Sequence, residues 1–245
     1  MPLPAKAFQR WLQGIAPDTT TADVCRISGI KRTTLAQQLV RGKVAETTVV
    51  SISRAFNINP VNALAAFDAF QELAGPVLPP TTCELVSQIS TPDLLRAVLA
   101  RAAVDPAGQP SAERPALSPA PHATSVKAWV EAIDDGELRH RVSVATGIAP
   151  QNYSAQLTAN RLSPELAIAT SQAAGVGPAG GLVASGLITE AEAGWPPGAR
   201  QAALDTLPDG DLTTLAGERL QALGKALRRQ EHDQEQTNKI WENLG

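Results

Sequence analysis

The chain has 245 residues and a formal net charge of −3, and 43% of its residues are hydrophobic but only 4% aromatic. It has no run of 18 or more apolar residues and no apolar N-terminal core, so we expect neither a membrane-spanning helix nor a signal peptide, and a cytoplasmic location. The cysteines and histidines lack the spacing of a zinc site, a disulfide framework or a nucleophilic centre, so we expect no cofactor, no metal and no enzymatic activity.

Short helices follow one another from the N-terminus. Apolar residues recur three and four positions apart, as they do along one face of a helix, and Leu35 and Leu39 form such a pair. No segment shows the strict alternation of a half-buried strand, so the pattern predicts an all-α fold. The predicted helices lie around 8–15, 21–28, 31–41 and 45–57, with later helix starts at Asn59-Pro60, Thr91-Pro92-Asp93 and Ser163-Pro164-Glu165.

Residues 105–125, DPAGQPSAERPALSPAPHATS, interrupt this pattern. The stretch contains five prolines and almost no large apolar side chain. A segment of this composition cannot build a hydrophobic core and is expected to form an extended, semi-rigid linker. It predicts a boundary between two modules.

The sequence on either side of this linker is repeated with an offset of 118 residues. Between 8–104 and 126–222 there are 17 identities in 97 ungapped positions, against roughly 7 expected by chance in so alanine-rich a chain. Trp11 pairs with Trp129 in this alignment. The sequence therefore predicts two tandem copies of one module, at 1–104 and 126–230, followed by a polar C-terminal tail at 231–245.

A glycine separates the second and third predicted helices of the first copy. Gly29 suits a tight turn, because a β-carbon would resist the backbone angles that such a turn requires. Leu35 and Leu39 bury one face of the third helix and leave positions 32, 33, 37 and 41 facing outward. Two helices joined in this way, the second with an exposed polar N-terminal face, are typical of a helix-turn-helix unit.

These residues resemble the lambda-repressor-like helix-turn-helix family. The matching run extends from TADV at 21–24 through Gly29-Ile30 and Gly42-Lys43 to RAFNINP. The form TLAQQLVRGK is most similar to immunity repressors of temperate phages that infect actinobacteria, although the third helix is one residue longer before its closing glycine than in the commonest members. The resemblance is closer for the first copy than for the second. It implies that the early residues of the third helix enter the major groove of DNA.

The resemblance places base contacts on Arg32, Thr33 and Gln37. Arginine can bond guanine O6 and N7, glutamine can pair bidentately with adenine, and the threonine methyl can meet that of thymine. Thr34, on the same helix, belongs to the same predicted DNA-contacting set.

Neighbouring side chains are expected to contact phosphates, which position a protein on DNA without specifying sequence. Residues 1–75 carry eight Lys and Arg against five Asp and Glu, whereas 126–195 carry four against seven. DNA should therefore meet the N-terminal part first. The expected phosphate contacts are Thr20, Thr21, Lys31, Arg41 and Lys43.

In the second copy the equivalent helix is chemically different. Pro150 and Ala155 stand at the positions of Arg32 and Gln37, and Tyr153 replaces a buried leucine, a change that could tilt the helix. Side-chain amides suited to adenine and groups suited to phosphate are still present. The predicted DNA-contacting residues of this copy are Gln151, Asn152, Ser154, Asn160 and Arg161.

Two further features are interpreted as structural. GVGPAG at 175–180 matches the GxGxxG pattern, but a helix rather than a strand precedes it, so we interpret it as a turn between helices. Trp11 and Trp129 occupy equivalent repeat positions, which favours a place in the core over base stacking.

We expect a sequence-specific DNA-binding transcriptional repressor of the phage or prophage immunity type, acting on operator DNA in the bacterial host cytoplasm. Because the two recognition helices differ, one chain is expected to contact an asymmetric site. Self-association through the second module or the C-terminal helix is compatible with the sequence. Two alternatives stay open: the second module mediates dimerisation while the first contacts DNA, or the chain is a protein-interaction adaptor or antirepressor with degenerate helix-turn-helix units.

Overall fold

Helices make up nearly all the regular structure in a computed structural model that describes residues 2–103 and 116–244, with side chains described up to residue 238. The predicted all-α fold is confirmed. Among the described residues the one departure is a pair of antiparallel two-residue strands, β1 (Leu3–Pro4) and β2 (Lys43–Val44). The helices that precede residue 104 are α1 (Ala5–Ile15), α2 (Thr21–Ser28), α3 (Arg32–Val40), α4 (Glu46–Ala55), α5 (Pro60–Ala65), a 3-10 helix (Asp68–Ala74), α6 (Thr82–Ser87) and α7 (Thr91–Ala102). Those that follow residue 115 are α8 (Ser125–Ile133), α9 (Leu138–Thr146), α10 (Pro150–Thr158), α11 (Pro164–Ala174), α12 (Gly180–Ala184), α13 (Ala199–Thr206) and α14 (Asp209–Leu244).

Side-chain caps fix several helix starts where the sequence predicts them. Thr20, Asn59 and Ser163 each accept a backbone N–H from the first turn of α2, α5 and α11. Such a bond satisfies one of the N–H groups that a helix N-terminus leaves without an intrahelical partner. Ser90 caps α7 in the same way, one residue before the predicted start.

The helices of the two halves recur at the predicted offset. α3 and α10 begin and end 118 residues apart, and α7 and α14 begin 118 residues apart. Residues in the left-handed backbone conformation recur with the same offset, in three pairs: Gly29 with Gly147, Gly42 with Asn160, and Asn57 with Gly175. This correspondence supports the proposed duplication.

The contacts divide the chain into two compact units that differ from the predicted modules. The first unit comprises Met1–Gln88 and Pro119–Arg200, and so contains helices from both copies. Trp129 of α8 is fully buried in it and donates its indole N–H to Glu84 Oε1 of α6 at 3.2 Å. The two copies are therefore joined by packed helices within this unit, whereas the sequence predicts modules separated by a linker.

A second link within this unit is the ion pair between Arg54 and Glu192. The guanidinium Nε and Nη2 donate to the two carboxylate oxygens at 2.6 and 2.7 Å. Glu192 also accepts the N–H of Thr189, at 2.7 Å. The hydrogen bond from Arg54 lowers the pKa of Glu192 against the opposing effect of burial, so the carboxylate is stabilised in its ionised form.

Replacing Glu192 with glutamine is expected to lower the free energy of unfolding at neutral pH by about 1 kcal/mol, the usual magnitude for a hydrogen-bonded group. Because the native pKa of Glu192 is lowered, its contribution is complete above the ordinary glutamate pKa and is lost as the pH falls through the native value. Urea unfolding at neutral and acid pH measures the difference. Glu131→Gln is the matched control, since Glu131 forms only an exposed pair with Lys127 at 3.7 Å. If the difference in unfolding free energy between the native protein and Glu192→Gln were as large in acid as at neutral pH, an ionised Glu192 could not be the source of the stabilisation.

The second unit comprises Ile89–Ser118 and Gln201–Gly245. α7 packs against α14 there, and the repeat-equivalent Leu94 and Leu212 are both buried in one core cluster. The predicted boundary between residues 230 and 231 falls inside α14, so no separate tail begins there. The core cluster consists of Ile89, Leu94, Leu204, Leu212 and Ala216.

Part of the predicted linker is packed in place. Its residues 105–115 lie outside the described residues. In the second unit the N–H of Ser118 donates to Asp93 Oδ2 at 3.0 Å. In the first unit His122 Nε2 lies 2.9 Å from the carbonyl oxygen of Ser87. Residues 116–125 are therefore hydrogen-bonded structure instead of the extended spacer that their proline content predicts.

The structure places Trp129 in the core and GVGPAG between helices, as the sequence predicts, whereas Trp11 is only partly in the core. Trp129 is fully buried, and the half-buried Trp11 lies with its ring centroid 5.9 Å from those of Phe8 and Phe67. The GVGPAG run connects α11 to α12, and Gly175 ends α11 in the left-handed conformation.

Candidate nucleic-acid interface

Helix α3 is held in place through one face. Leu35 is fully buried and Leu39 is half-buried, as predicted. Gln38 Oε1 accepts hydrogen bonds from the N–H of Ala45 at 3.2 Å and from the hydroxyl of Thr48 at 3.0 Å. Gln38 therefore joins α3 to the start of α4. In the sequence Gln38 is notable only because the same residue type stands at the equivalent position of the second copy. Its hydrogen-bond partners lie seven and ten residues away, so no local pattern predicts them.

The opposite side of α3 carries the predicted DNA-contacting residues of the first copy. Lys31 is the residue just before the first turn of this helix, Arg41 follows its last turn, and Lys43 lies in β2. Within residues 2–103 and 116–238, none of Lys31, Arg32, Arg41 and Lys43 forms an ion pair. Among the described side chains these four cations have no acidic partner, so they can bind phosphates without breaking an internal ion pair. The exposed residues of this surface are Lys31, Arg32, Thr33, Thr34, Gln37, Arg41 and Lys43.

The start of α2 presents Thr20 and Thr21, both exposed. The Thr20 hydroxyl is already engaged, since it accepts the N–H of Asp23 at 3.2 Å and donates to Asp23 Oδ2 at 2.7 Å. The hydrogen bond from Thr20, together with that from Arg26, lowers the pKa of Asp23 and so favours its ionised form. Thr21, the first residue of α2, is the better placed of the two threonines to donate to a phosphate.

The N-terminal strand β1 fixes the segment that contains Lys43, a role that the sequence does not predict. Leu3 is fully buried opposite Val44, Pro4 lies opposite Lys43, and the N–H of Ala5 donates to the carbonyl oxygen of Gly42 at 3.0 Å. Two residues are too few to show a strand pattern, which is why β1 could not be predicted. The backbone around Lys43 is therefore held by its pairing with β1.

Replacing Lys43 with alanine is expected to weaken binding to every DNA sequence and to reduce the salt slope by about one unit, because one phosphate contact is lost. Fluorescence anisotropy titrations over a range of salt concentrations, on operator and random duplexes, measure both effects. Lys225→Ala is the charge-matched control, since Lys225 is exposed on α14 and lies far along the chain from the helix-turn-helix residues. An unchanged slope would show that Lys43 does not contact phosphate.

In the second copy α10 exposes Gln151 and Asn152 in its first turn, whereas Ser154 is half-buried. Tyr153 is fully buried, and its hydroxyl lies 3.0 Å from Thr170 Oγ1. Burial raises the pKa of Tyr153, so the phenol stays neutral and forms part of the core. The substitution of a leucine by Tyr153 is therefore accommodated with its polar group hydrogen-bonded.

The two predicted DNA-contacting residues that follow α10, Asn160 and Arg161, differ in whether their side chains are already engaged within the protein. Asn160 adopts the left-handed conformation, with φ of 49°, and its Oδ1 accepts the N–H of Lys127 at 3.1 Å. Arg161 is exposed and forms no ion pair among the described side chains. It occupies the position equivalent to Lys43. The two arginines of α9 are engaged with acids, in the pairs Arg139–Asp134 at 3.4 Å and Arg141–Asp135 at 3.0 Å.

In the part of the chain that the structure describes, no helix is long and apolar enough to cross a membrane. The same residues contain no group of three or more His, Cys, Asp or Glu side chains that could hold a metal ion. Comparison of the chain with protein-family models, curated proteins and solved structures gives no match. The candidate interface is therefore defined by its own residues and geometry, centred on the exposed side of α3.

Proposed function

We propose that this protein is a sequence-specific repressor that binds operator DNA through α3 and α10. The observation that carries the proposal is the composition of α3, whose inner face is fixed by Leu35 and Gln38 while its outer side combines unpaired cations with Arg32 and Gln37. Helix-turn-helix proteins insert such a helix into the major groove, where arginine and glutamine contact base edges. Occlusion of an operator or promoter by this contact would repress transcription. The resemblance of TLAQQLVRGK to actinobacterial phage repressors supports a role in phage immunity.

The operator is expected to be asymmetric and contacted by one chain. Both α3 and α10 belong to the first compact unit, so packed helices hold them in one body. Their exposed first turns differ, with Arg32 and Thr33 in one and Gln151 and Asn152 in the other. Different side chains prefer different bases, so the two helices should select different halves of the site.

A second candidate function, in which only the first copy contacts DNA, is favoured by the shortage of cations around α10. Arg161 is the one cation close to that helix without an acidic partner among the described residues. In this case the second copy would serve packing or dimerisation.

Selection of binding sites from a pool of random duplexes with the full-length protein tests the proposed function. One enriched, non-palindromic sequence is expected, and failure to enrich any sequence would overturn the proposal. Footprints of two matched variants then separate the candidates: Arg32→Ala with Gln37→Ala in α3, and Gln151→Ala with Asn152→Ala in α10. Each pair should remove protection from a different half of the site. An unchanged footprint with the α10 pair would favour contact by the first copy alone.

A further inference from the structure

Val40 is an apolar side chain at the C-terminal end of α3 that lies almost wholly outside the core. It is the last residue of the helix and is 89% exposed. A β-branched side chain also lowers the helix propensity of an exposed position relative to alanine. Neither burial in the core nor the stability of the helix therefore accounts for a valine at this position.

Val40 lies on the same side of α3 as two of the residues for which base contacts are predicted. Thr33, Gln37 and Val40 follow one another at spacings of four and three residues, which places them along one face of a helix. All three are exposed, whereas the fully buried Leu35 lies on the other side of the helix. Val40 therefore continues the surface for which contact with the major groove is proposed.

This side of α3 also carries a row of side chains with methyl groups. Thr33, Ala36 and Val40 are exposed and are separated by three and four residues, so they lie along one side of the helix beside Gln37. Thymine is the base that presents a methyl group in the major groove, where apolar side chains can contact it. The row therefore matches the one apolar group that the major groove offers.

The charges around Val40 favour DNA over an apolar protein surface as the partner of this side chain. Residues 24–45 carry five Lys and Arg and no Asp or Glu. Arg41 and Lys43 directly follow the end of α3, are exposed, and form no ion pair among the described side chains. A polyanion complements such cations, whereas an apolar partner covering Val40 would desolvate them without compensation.

We propose that Val40 contacts the 5-methyl group of a thymine, so that α3 selects an A·T pair at one position of the operator. The inference rests on the proposed function and adds to it a specificity-determining side chain beyond Arg32, Thr33 and Gln37. The rise from Gln37 to Val40 is about 4.5 Å at about 1.5 Å per residue, which is comparable to the spacing of about 3.4 Å between successive base pairs. The thymine is therefore expected in a base pair next to the one that Gln37 contacts.

Replacing single thymines of the selected operator with deoxyuridine tests the contact, since each replacement removes one 5-methyl group and keeps the hydrogen-bonding groups of the base. At one such replacement, in the half of the site protected through α3, the full-length native protein should bind about fourfold more weakly, the effect of about one buried methylene-sized group. Val40→Ala should bind the thymine operator more weakly than the native protein does. It should bind the thymine and deoxyuridine operators equally, because the contact is already absent. Fluorescence anisotropy at one salt concentration measures the four affinities.

Val144→Ala is the matched control, because Val144 is a 70% exposed valine on α9, outside the predicted DNA-contacting residues. It should keep the native response to every replacement. Urea unfolding of Val40→Ala should show no loss of stability, since the side chain is exposed. The inference would be overturned, with the proposed function left standing, by a selected operator that has no thymine in the half protected through α3. The same holds if every deoxyuridine replacement affects the native protein and Val40→Ala equally. Failure to select any operator would overturn both.

Discussion

Replacing Trp129 with alanine is expected to lower the free energy of unfolding by about 3–5 kcal/mol, the usual cost of removing a large buried aromatic side chain. The indole is fully buried, and Gly181 approaches it so closely that a β-carbon on Gly181 would come within 2.8 Å of the Trp129 ring. Loss of the indole also leaves Glu84 Oε1 without its N–H donor. An unpaired buried acceptor adds its own desolvation cost. Urea unfolding of the full-length variant measures the effect.

Trp11→Ala is the matched control for this substitution. Trp11 occupies the equivalent position of the first copy but is only half-buried, so its replacement should cost less. Trp129→Phe separates packing from hydrogen bonding, since it keeps an aromatic ring and removes the N–H donor. A loss for Trp129→Ala no greater than that for Trp11→Ala would contradict the expectation that the fully buried, hydrogen-bonded Trp129 contributes more to stability than the half-buried Trp11.

Replacing Arg32 or Gln37 with alanine is expected to cost about 1–3 kcal/mol of binding free energy on the selected operator, with little change on random DNA. Both side chains lie on the exposed side of α3, and a base contact is lost only where the matching base is present. Anisotropy titrations on operator and random duplexes at one salt concentration measure the two affinities. Equal losses on both duplexes would show that these residues do not contact bases.

Arg32→Lys distinguishes the charge of Arg32 from its geometry. Lysine keeps the positive charge but lacks the planar fork that bonds two acceptors on one base. If Arg32 contacts guanine bidentately, the lysine variant should lose most of the specificity and keep its affinity for random DNA. Lys225→Ala again controls for the loss of one positive charge in the alanine variant, because it removes a cation from α14 and leaves α3 unchanged.

The sequence predicts the helices of this chain well because their signals are local. α2 spans the predicted residues 21–28, and α3 is one residue shorter at each end than predicted. Caps and apolar spacing act within four residues of each other, so they are visible in the sequence. The division into units depends instead on contacts between distant residues. Glu84 and Trp129 are 45 residues apart in the sequence, and Arg54 and Glu192 are 138 residues apart. No local sequence pattern predicts either contact.

The same distinction applies to the candidate interface. The exposed side of α3 follows from the positions of the buried leucines, and all seven predicted residues from Lys31 to Lys43 are exposed. The support for this surface could not be predicted, since Gln38 and β1 act through partners elsewhere in the chain. The prolines of 116–125 gave a misleading signal, because proline also suits ordered irregular segments whose remaining N–H groups find partners, as that of Ser118 does.

The hydroxyl contact between Tyr153 and Thr170 restricts how α3 and α10 can be exchanged. In the first copy the equivalent positions hold Leu35 and Ile52, both fully buried. The two contacting positions therefore differ together between the copies, as an apolar pair in one and a hydroxyl pair in the other. A transplant of the whole of α3 into the place of α10 would set a leucine beside Thr170 and remove the tyrosine hydroxyl, while the Thr170 hydroxyl would keep its hydrogen bond to the Leu166 carbonyl at 2.7 Å. A transplant of the outward-facing residues alone leaves both interiors intact. Under the proposed function, new operator preferences can therefore arise by changing surface positions on either helix independently, whereas a recombination breakpoint that separates position 35 from 52, or 153 from 170, would yield a chimaera with a mismatched interior.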